Sequence, residues 1–453
     1  MRDIIMVLSD QHSGLATSLV NPLVNTPNLS LLADTSQVFE YAYANCPLCV
    51  PSRMSFLSGE EPNQLGIYNN DIPLNSNVET LAHKLSEQGY RTVLVGRMHF
   101  KGEDQYHGFD ERYIGDITTQ WWGQKRNDLG VFDGTLQMSG CLKEFGYGDS
   151  PVQEFDRTVL KKAMELLQVE SKQPLFMIVG FYGPHFPYCV KEEYFQNYFK
   201  LDLNLKNKED ECHEVYQSMQ LDTGNEVLQN VRAAYYGLVE HLDNMIGLIH
   251  KTVRKRSLDS IFIYTSDHGD QIGKRSLYGK KTIYEDSIRI PLWIEDRNLK
   301  AKVYRNAVSL LELHYTILNY AGIEVNQETV FHKETPVVIS SIIENENEEI
   351  LLQAIRYRNI KLIKLKNEVF LYDIWKDPEE QNNLSSLWLH ENEHLQRYLL
   401  DEEETLKIYY VEKEKVKTLR EWTKINQPKD EVRFKISSNA TRTPKRRKLP
   451  HEI

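Results

Sequence analysis

Short apolar runs alternate with amphipathic stretches through residues 1–325. Each run is rich in Ile, Val, Leu or Phe and has the length of a buried strand. Four runs define the pattern: Ile4–Leu8, Arg91–Val95, Leu175–Phe181 and Ile261–Thr265. Alternation of such strands with helices predicts an α/β layered fold.

Two of the intervening helices carry end signals. Thr26 stands before Pro27, and proline is favoured at the first position of a helix, so Thr26 is predicted to be the N-cap. A second helix is predicted from Thr80 to Gln88, and Gly89 is expected to end it.

The pattern changes in residues 326–436, where short strands follow one another directly. Three are predicted, and Asn- or Lys-containing turns separate them: Ile350–Arg356, Ile360–Leu365 and Glu368–Tyr372. A charged helix is predicted from Glu402 to Lys424. Together these elements predict a smaller α+β subdomain with an antiparallel sheet. Residues 437–453 contain Lys445-Arg446-Arg447-Lys448 and no apolar pattern, which predicts a mobile basic tail.

Composition narrows the range of partners. Hydrophobic residues make up 41% and charged residues 26% of the chain, as in ordinary globular proteins, and the formal net charge is −11. An acidic protein is not expected to bind nucleic acid as its main partner, because phosphate backbones attract basic surfaces. A few buried basic residues would still suffice for a small anionic substrate.

The N-terminus and the cysteines indicate the compartment. Ile4–Leu8 is too short for a signal-peptide core, and no other apolar run approaches the roughly 18 residues of a membrane span. Five cysteines in a chain of this length do not form a disulfide framework. We therefore expect a cytoplasmic protein with no membrane partner, and the sequence leaves open whether it is a monomer or a homo-oligomer.

Polar side chains follow all four predicted strands. Asp10-Gln11 follows the first strand, Arg97 and His99 the second, His185 the third and Asp267-His268 the fourth. Ligands of open α/β sheets bind at the carboxyl ends of the strands, so this edge is the predicted site. Two carboxylates favour Ca²⁺ or Mg²⁺ as the metal, and the imidazole would also suit Mn²⁺.

The segment Cys46-Pro47-Leu48-Cys49 carries the sharpest signal. A Cys-x-x-Cys pair alone fits a zinc site or a redox motif, but zinc would need a second pair, which the sequence lacks. Cys49-x-Pro51-Ser52-Arg53, followed by Ser58-Gly59, instead resembles the signature of sulfatases, in which the cysteine is oxidised to formylglycine.

The resemblance extends over residues 3 to 390 and is strongest toward the branch that is similar to choline sulfatases and phosphonate monoester hydrolases. The segments that carry it are Asp10-Gln11, Thr26-Pro27-Asn28-Leu29, Gly96-Arg97-Met98-His99-Phe100, Asp104-Gln105-Tyr106-His107-Gly108-Phe109, Pro184-His185-Phe186-Pro187, Asp267-His268-Gly269-Asp270, Lys280, Tyr284-Glu285 and Leu371-Tyr372-Asp373.

This resemblance implies an alkaline-phosphatase-like α/β sandwich around a mixed, mostly parallel sheet. Residues 1–325 would be the catalytic domain, with the smaller α+β domain behind it. One divalent metal ion, Ca²⁺ in the first place, would be bound by four residues: Asp10, Cys49, Asp267 and His268. Gln11 is a further candidate ligand. A maturation enzyme of the host would convert Cys49 to formylglycine.

The resemblance also implies catalytic roles. Arg53 would orient the hydrated aldehyde, while Arg97 and Lys280 would bind the sulfate oxygens. His99 would assist the aldehyde hydroxyl, and His185 would protonate the leaving alkoxide. Arg97 departs from the family, which usually has lysine; arginine preserves anion binding but not proton transfer.

The predicted activity is hydrolysis of a small sulfated substrate, a sulfated sugar or another sulfate ester. Two alternatives stay open: a phosphonate monoester or phosphodiester hydrolase with the same site, and a silent anion- or sugar-binding protein if Cys49 is not converted. Two long stretches, from Trp121-Trp122 to Tyr147 and from Tyr188 to Asn225, are expected to line the pocket mouth.

Overall fold

A computed structural model describes residues 1–117, 141–203, 211–344 and 348–426. Two sequence predictions, the pocket-lining Trp121-Trp122 pair and the basic tail at 437–453, lie outside the described residues. Among the described helices, none combines the length and the apolar composition of a membrane span.

The strands, in chain order, are β1 (Ile4–Asp10), β2 (Gln37–Phe39), β3 (Ala42–Tyr43), β4 (Arg91–Gly96), β5 (Glu111–Tyr113), β6 (Phe145–Tyr147), β7 (Leu175–Pro184), β8 (Tyr188–Val190), β9 (Ile261–Ser266), β10 (Arg289–Ile290), β11 (Leu292–Glu295), β12 (Lys302–Tyr304), β13 (Val308–Ser309), β14 (Val337–Glu344), β15 (Glu349–Tyr357), β16 (Ile360–Leu365) and β17 (Glu368–Asp373).

The α-helices are α1 (Pro27–Ala33), α2 (Cys49–Ser58), α3 (Pro62–Leu65), α4 (Leu81–Glu87), α5 (Pro151–Leu167), α6 (Glu192–Phe199), α7 (Asn225–Arg256), α8 (Glu285–Ile288), α9 (Leu310–Tyr320), α10 (Ser385–Trp388) and α11 (Glu402–Asn426). Short 3₁₀ helices cover Glu214–Met219, Lys274–Ser276 and Glu393–Tyr398.

The central sheet has the strand order β12-β2-β11-β9-β1-β7-β4-β5. Strands β9, β1, β7, β4 and β5 run parallel, whereas β11 is antiparallel to both of its neighbours. Side chains of β1 alternate between two hydrophobic cores: Ile4, Met6 and Leu8 pack on one face, and Ile5 and Val7 on the other. Helices cover both faces, which confirms the predicted sandwich with a mixed, mostly parallel sheet.

The N-terminus of α1 shows where local sequence reasoning was incomplete. Thr26 occupies the N-cap position as predicted, but its side chain makes no capping hydrogen bond. Its hydroxyl pairs with Ser18, at an Oγ–Oγ1 distance of 2.7 Å. The helix amides of Asn28 and Leu29 instead donate to the carboxylate of Asp243 in α7, at 2.9 and 2.8 Å. A distant carboxylate therefore caps this helix.

The second sheet is antiparallel with the order β14-β15-β16-β17. The three predicted strands are present, and α11 matches the predicted charged helix. Strand β14 was not predicted, because Ser340 and Ser341 interrupt its apolar pattern. Both serines are buried. The Ser340 hydroxyl pairs with Tyr68 at 2.9 Å, and its amide donates to the Asn45 carbonyl, so burial leaves these polar groups satisfied. The domain boundary near residue 325 stays a prediction.

Candidate active site

Four adjacent parallel strands, β9, β1, β7 and β4, end at one edge of the central sheet. Their ends carry the candidate residues Asp267-His268, Asp10-Gln11, His185 and Arg97 with His99. Parallel strands place their carboxyl ends together, so residues far apart in the sequence meet here. These residues are at most 5% exposed.

Cys49 faces this edge from the first residue of α2. The helix begins after Leu48 and ends at Gly59, whose φ of 76° is left-handed. The Cys49 thiol is 1% exposed. Lys280 Nζ lies 3.0 Å and His268 Nε2 3.3 Å from its sulfur. An anionic group at this position therefore meets a helix N-terminus and an ammonium group.

Four candidate metal ligands surround one point. Asp10, Cys49, Asp267 and His268 each offer one ligand atom, and these atoms lie within 4.8 Å of one another. A cation bonded at its usual distances would separate its ligands by roughly 3–5 Å. His268 directs Nδ1 to the Gly269 carbonyl at 3.0 Å. That contact leaves Nε2 directed toward the site, as expected for a metal ligand.

Two buried arginines hold the carboxylates from the opposite side. Arg53 contacts Asp267 Oδ2 through Nε at 2.7 Å and Asp10 Oδ2 through Nη2 at 3.1 Å. Arg97 Nε contacts the same Asp10 oxygen at 2.5 Å. The Oδ2 atoms are thus bound to arginine. Asp10 Oδ1 instead faces His268 Nε2, at 3.7 Å. This arrangement orients the carboxylates for a cation on the Oδ1 side.

Arg97 makes further contacts through its remaining nitrogens. Nη1 donates to Asp116 Oδ1 at 2.8 Å, and Nη2 lies 2.9 Å from His99 Nδ1. The guanidinium carbon lies 4.4 Å from the centre of the Tyr182 ring. The contacts of Arg97 are therefore largely with the protein itself, and its predicted contact with sulfate stays a prediction.

His185 and Lys280 face the same opening. His185 directs Nδ1 to the Phe186 carbonyl at 2.7 Å, and its Nε2 lies 3.9 Å from Asp10 Oδ1. Lys280 Nζ also donates to Gln11 Oε1 at 2.9 Å. The Gln11 amide nitrogen donates to Asp270 Oδ2 at 2.5 Å. In this arrangement Gln11 supports Lys280, and its part as a metal ligand stays a prediction.

The chain is similar in sequence and in fold to known proteins. Residues 2–323 match the model of the sulfatase family. The choline-sulfatase of Rhizobium meliloti (strain 1021) is 30% identical over 350 residues, 72% of this chain and 68% of that protein. An arylsulfatase of Clostridium perfringens (strain 13 / Type A) is 28% identical over 363 residues, 71% of this chain and 75% of that protein.

The chain belongs to the sulfatase family. It is therefore a sulfuric ester hydrolase. Its fold also matches the phosphonate monoester hydrolase of Agrobacterium radiobacter, with a TM-score of 0.65 at 17% identity over 93% of this chain and 96% of that one. The predicted alkaline-phosphatase-like fold is confirmed.

The surroundings of the sulfatase site set its ionisation. Burial opposes a charge on Asp10, but the cationic groups of Arg97, Lys280 and Arg53 hold the pKa of this carboxyl well below its ordinary value. Burial and the nearby Asp10 oppose ionisation of the Cys49 thiol, yet Lys280 and His268 lower its pKa. Cationic neighbours therefore favour negative charge at the centre of the site.

Both candidate acid–base imidazoles of the sulfatase favour the neutral form. Burial and the adjacent Arg97 hold the pKa of His99 well below its ordinary value. Burial and Lys280 have the same effect on the pKa of His185. A bound anion would oppose these effects and favour protonation.

Sequence reasoning missed two polar residues of this sulfatase site. Asn70 accepts the Val50 amide at 3.0 Å, and its Nδ2 lies 3.9 Å from Cys49 Sγ. Asp116 accepts from Arg97 and from the His99 amide, at 2.8 and 2.9 Å. Neither residue follows a predicted strand or belongs to a recognised motif, so nothing in the sequence marked either of them. Cys46 is free and buried, and it is not one of the four candidate ligands.

Proposed function

We propose that this sulfatase hydrolyses a sulfate ester with a formylglycine made from Cys49, beside one divalent metal ion. The observation that carries the proposal is the position of Cys49, at the start of α2 and within 4.8 Å of three further ligand atoms. In its hydrated form the aldehyde offers two hydroxyls on one carbon, one to attack sulfur and one to drive release of sulfate.

The donor set fits a divalent cation. The site offers two carboxylates, one imidazole and an oxygen derived from Cys49, so most of its donors are hard oxygen atoms. This set supports Ca²⁺ first and Mg²⁺ or Mn²⁺ as alternatives. A cation held there would polarise the sulfuryl oxygens and favour the deprotonated nucleophile. Asp10, Asp267 and His268 would bind it, and Gln11 is a further candidate.

The arginines preorganise the site. Arg53 bridges Asp10 and Asp267, so it fixes the relative position of the two carboxylates and would also orient the hydrated aldehyde. Arg97 fixes Asp10 and His99. Its second proposed role, binding of sulfate oxygens, would require that one of these contacts be exchanged for a contact with substrate.

Lys280 and the two histidines would act on the reacting group. Lys280 reaches the Cys49 sulfur, so its ammonium would bind the sulfate oxygens where charge develops. His99 would assist the aldehyde hydroxyl. His185 would protonate the leaving alkoxide from Nε2, because its Nδ1 is engaged by the Phe186 carbonyl. Substrate binding would first have to raise its pKa.

The charge balance favours a singly charged tetrahedral group. Arg53, Arg97, Lys280 and the metal supply positive charge, and Asp10 and Asp267 neutralise part of it. Phosphate monoesters carry nearly two charges near neutral pH, so they should be the poorest substrates. Sulfate esters are favoured over phosphonates and phosphodiesters because the named sequence relatives are sulfatases. A sulfated sugar and a smaller sulfate ester are both candidate substrates.

Two further expectations belong to this proposal. A host maturation enzyme must act on Cys49, since the proposed nucleophile is a hydroxyl of the hydrated aldehyde made from it. The cytoplasmic location predicted from the sequence is retained as part of the same proposal.

The experiment compares kcat/KM for nitrophenyl sulfate, phenyl nitrophenyl phosphonate and nitrophenyl phosphate, with enzyme whose Cys49 is fully converted. The proposal predicts sulfate above phosphonate and phosphate monoester last. A phosphonate value well above the sulfate value would favour the alternative hydrolase and leave the site residues in place. A Cys49 peptide that keeps the mass of the thiol in protein from its natural host would favour the silent binding protein.

A further inference from the structure

Lys280 lies in irregular backbone between β9 and α8. Its neighbour Lys281 has a left-handed φ of 78°, and Arg275 and Ser276 earlier in the same stretch have φ values of 55° and 57°. Non-glycine residues adopt such conformations at a cost, and they persist where surrounding contacts hold the chain. The position of the Lys280 ammonium therefore depends on what holds this backbone.

The backbone amides on either side of Lys280 both donate hydrogen bonds to acceptors outside the segment. Gly279 donates to Asp270 Oδ1 at 3.0 Å, and Lys281 donates to the Pro47 carbonyl at 3.1 Å. These two acceptors belong to the edge of the central sheet and to the approach to α2. They connect the Lys280 backbone to the same elements that carry the candidate metal ligands.

Two later backbone amides of this segment also donate to acceptors in other parts of the fold. Ile283 donates to the Tyr216 hydroxyl at 3.1 Å, and Glu285 donates to Glu380 Oε2 at 2.8 Å. Tyr216 lies in the 3₁₀ helix Glu214–Met219, and Glu380 follows β17. Both acceptors are well buried, with Tyr216 at 0% and Glu380 at 5% exposure.

A buried lysine links the second of these contacts to the antiparallel sheet. Lys361 of β16 donates to Glu380 Oε1 at 2.6 Å and to Glu285 Oε1 at 3.1 Å. Tyr43 donates to the other Glu285 oxygen at 3.0 Å. One ammonium thus lies between two buried carboxylates, and one of these accepts a backbone amide five residues after Lys280.

We propose that Tyr216 and Glu380 are positioning residues for Lys280, and that Lys361 makes the antiparallel sheet part of the active-site framework. The inference rests on the proposed role of Lys280 at the sulfate group. Neither residue contacts the reacting atoms. Each fixes the backbone from which the Lys280 side chain reaches Cys49 and Gln11, and small displacements of a charged group at a reacting centre have large kinetic effects.

The test measures kcat/KM for nitrophenyl sulfate in fully converted enzyme, with Tyr216→Phe and Glu380→Ala introduced singly and in a Lys280→Ala background. Tyr216→Phe should lower kcat/KM by about 3- to 10-fold and Glu380→Ala by about 10- to 100-fold. In the Lys280→Ala background each change should have an effect of less than about 2-fold, because the group being positioned is gone.

Tyr198→Phe is the matched control. Tyr198 is also a buried tyrosine whose hydroxyl accepts a backbone amide, that of Asn25 at 3.1 Å, in another part of the fold. Its loss should leave kcat/KM within about 2-fold of wild type. Melting curves of all variants separate positioning from unfolding, and Tyr216→Phe removes only one hydroxyl should Glu380→Ala fold poorly.

The outcomes separate this inference from the proposed function. Wild-type kinetics in Tyr216→Phe and Glu380→Ala, beside an impaired Lys280→Ala, would overturn the positioning role alone. Losses of equal size with and without Lys280 would overturn it as well. An unimpaired Lys280→Ala enzyme would contradict the proposed function of Lys280 itself.

Discussion

The two sheets of this sulfatase contribute to the site in different ways. The parallel strands of the central sheet end on Asp10, Arg97, His185 and Asp267, and these side chains meet directly. The antiparallel sheet instead contributes Lys361, which contacts the carboxylates that hold the segment after Lys280. Parallel strands collect side chains at one edge, whereas the antiparallel sheet supports the backbone of that edge. Substitutions in the central sheet should therefore act mainly on metal affinity and turnover, and those in the antiparallel sheet mainly on the free energy of unfolding.

The largest effect is expected where a strand of the central sheet supplies a metal ligand. Asp267→Asn removes a charged oxygen ligand and leaves Arg53 without one of its two carboxylate partners. Metal affinity should fall by at least about 100-fold and kcat/KM by roughly 10²–10³-fold. Calorimetric titration with Ca²⁺ and Mn²⁺, after a chelator has removed bound metal, measures the metal affinity. Turnover of nitrophenyl sulfate measures kcat/KM.

Asp296→Asn is the control for that experiment. Asp296 is a buried carboxylate next to the central sheet, but it pairs with Arg2 at 2.6 Å, away from the candidate ligands. Its loss should affect stability and not metal affinity. Unchanged metal affinity in Asp267→Asn would contradict the assignment of Asp267 as a metal ligand.

A selective effect is expected at the end of β7. If His185 protonates the leaving group, His185→Ala should lower kcat/KM by about 10²-fold for alkyl sulfates, whose alkoxides are poor leaving groups. Nitrophenyl sulfate needs little protonation and should lose less than about 5-fold. Equal losses on both substrates would make His185 a binding residue.

A substitution in the antiparallel sheet should have little effect on kcat/KM and a larger effect on the free energy of unfolding. Lys361→Met leaves Glu285 and Glu380 buried without their shared ammonium, so the free energy of unfolding should fall by about 3–5 kcal/mol. The kcat/KM of the folded fraction should fall by no more than about 10-fold. Chemical denaturation gives the first value, and initial rates well below the melting temperature give the second.

Lys366→Met on the turn after the same strand is the comparison for Lys361→Met. Lys366 pairs with Glu348 at the surface, and such pairs contribute about 0–1 kcal/mol. A loss of stability at Lys361 no larger than that at Lys366 would contradict the structural role of the buried lysine.

The sequence predicted best what depends on local pattern. Strand β16 has the predicted bounds, and β1, β4, β7 and β9 begin where expected and run one to three residues further. The candidate ligands could be predicted because each stands next to a recognisable strand end or in the Cys49 signature. Parallel pairing then brings them together without further information.

Features that depend on distant contacts could not be predicted. Asp243 caps α1 from 215 residues away, and no property of the segment around Thr26 indicates this. Strand β14 was missed because Ser340 finds its hydrogen-bond partners far away in the sequence. Its hydroxyl pairs with Tyr68, and its amide donates to the Asn45 carbonyl. Asp116 was missed for a different reason: it follows β5, a three-residue strand that was not predicted from the sequence.

If the nucleophile is a hydroxyl of the hydrated aldehyde made from Cys49, activity must depend on conversion of this residue. Mass spectrometry of the Cys49 peptide gives the fraction of aldehyde, which is lighter than the thiol form by the difference between a thiomethyl and a formyl group. Specific activity toward nitrophenyl sulfate should rise in proportion to this fraction across preparations, and Cys49→Ala should have none. Full activity in a preparation that contains only the thiol, or substantial activity in a folded Cys49→Ala variant, would contradict this dependence.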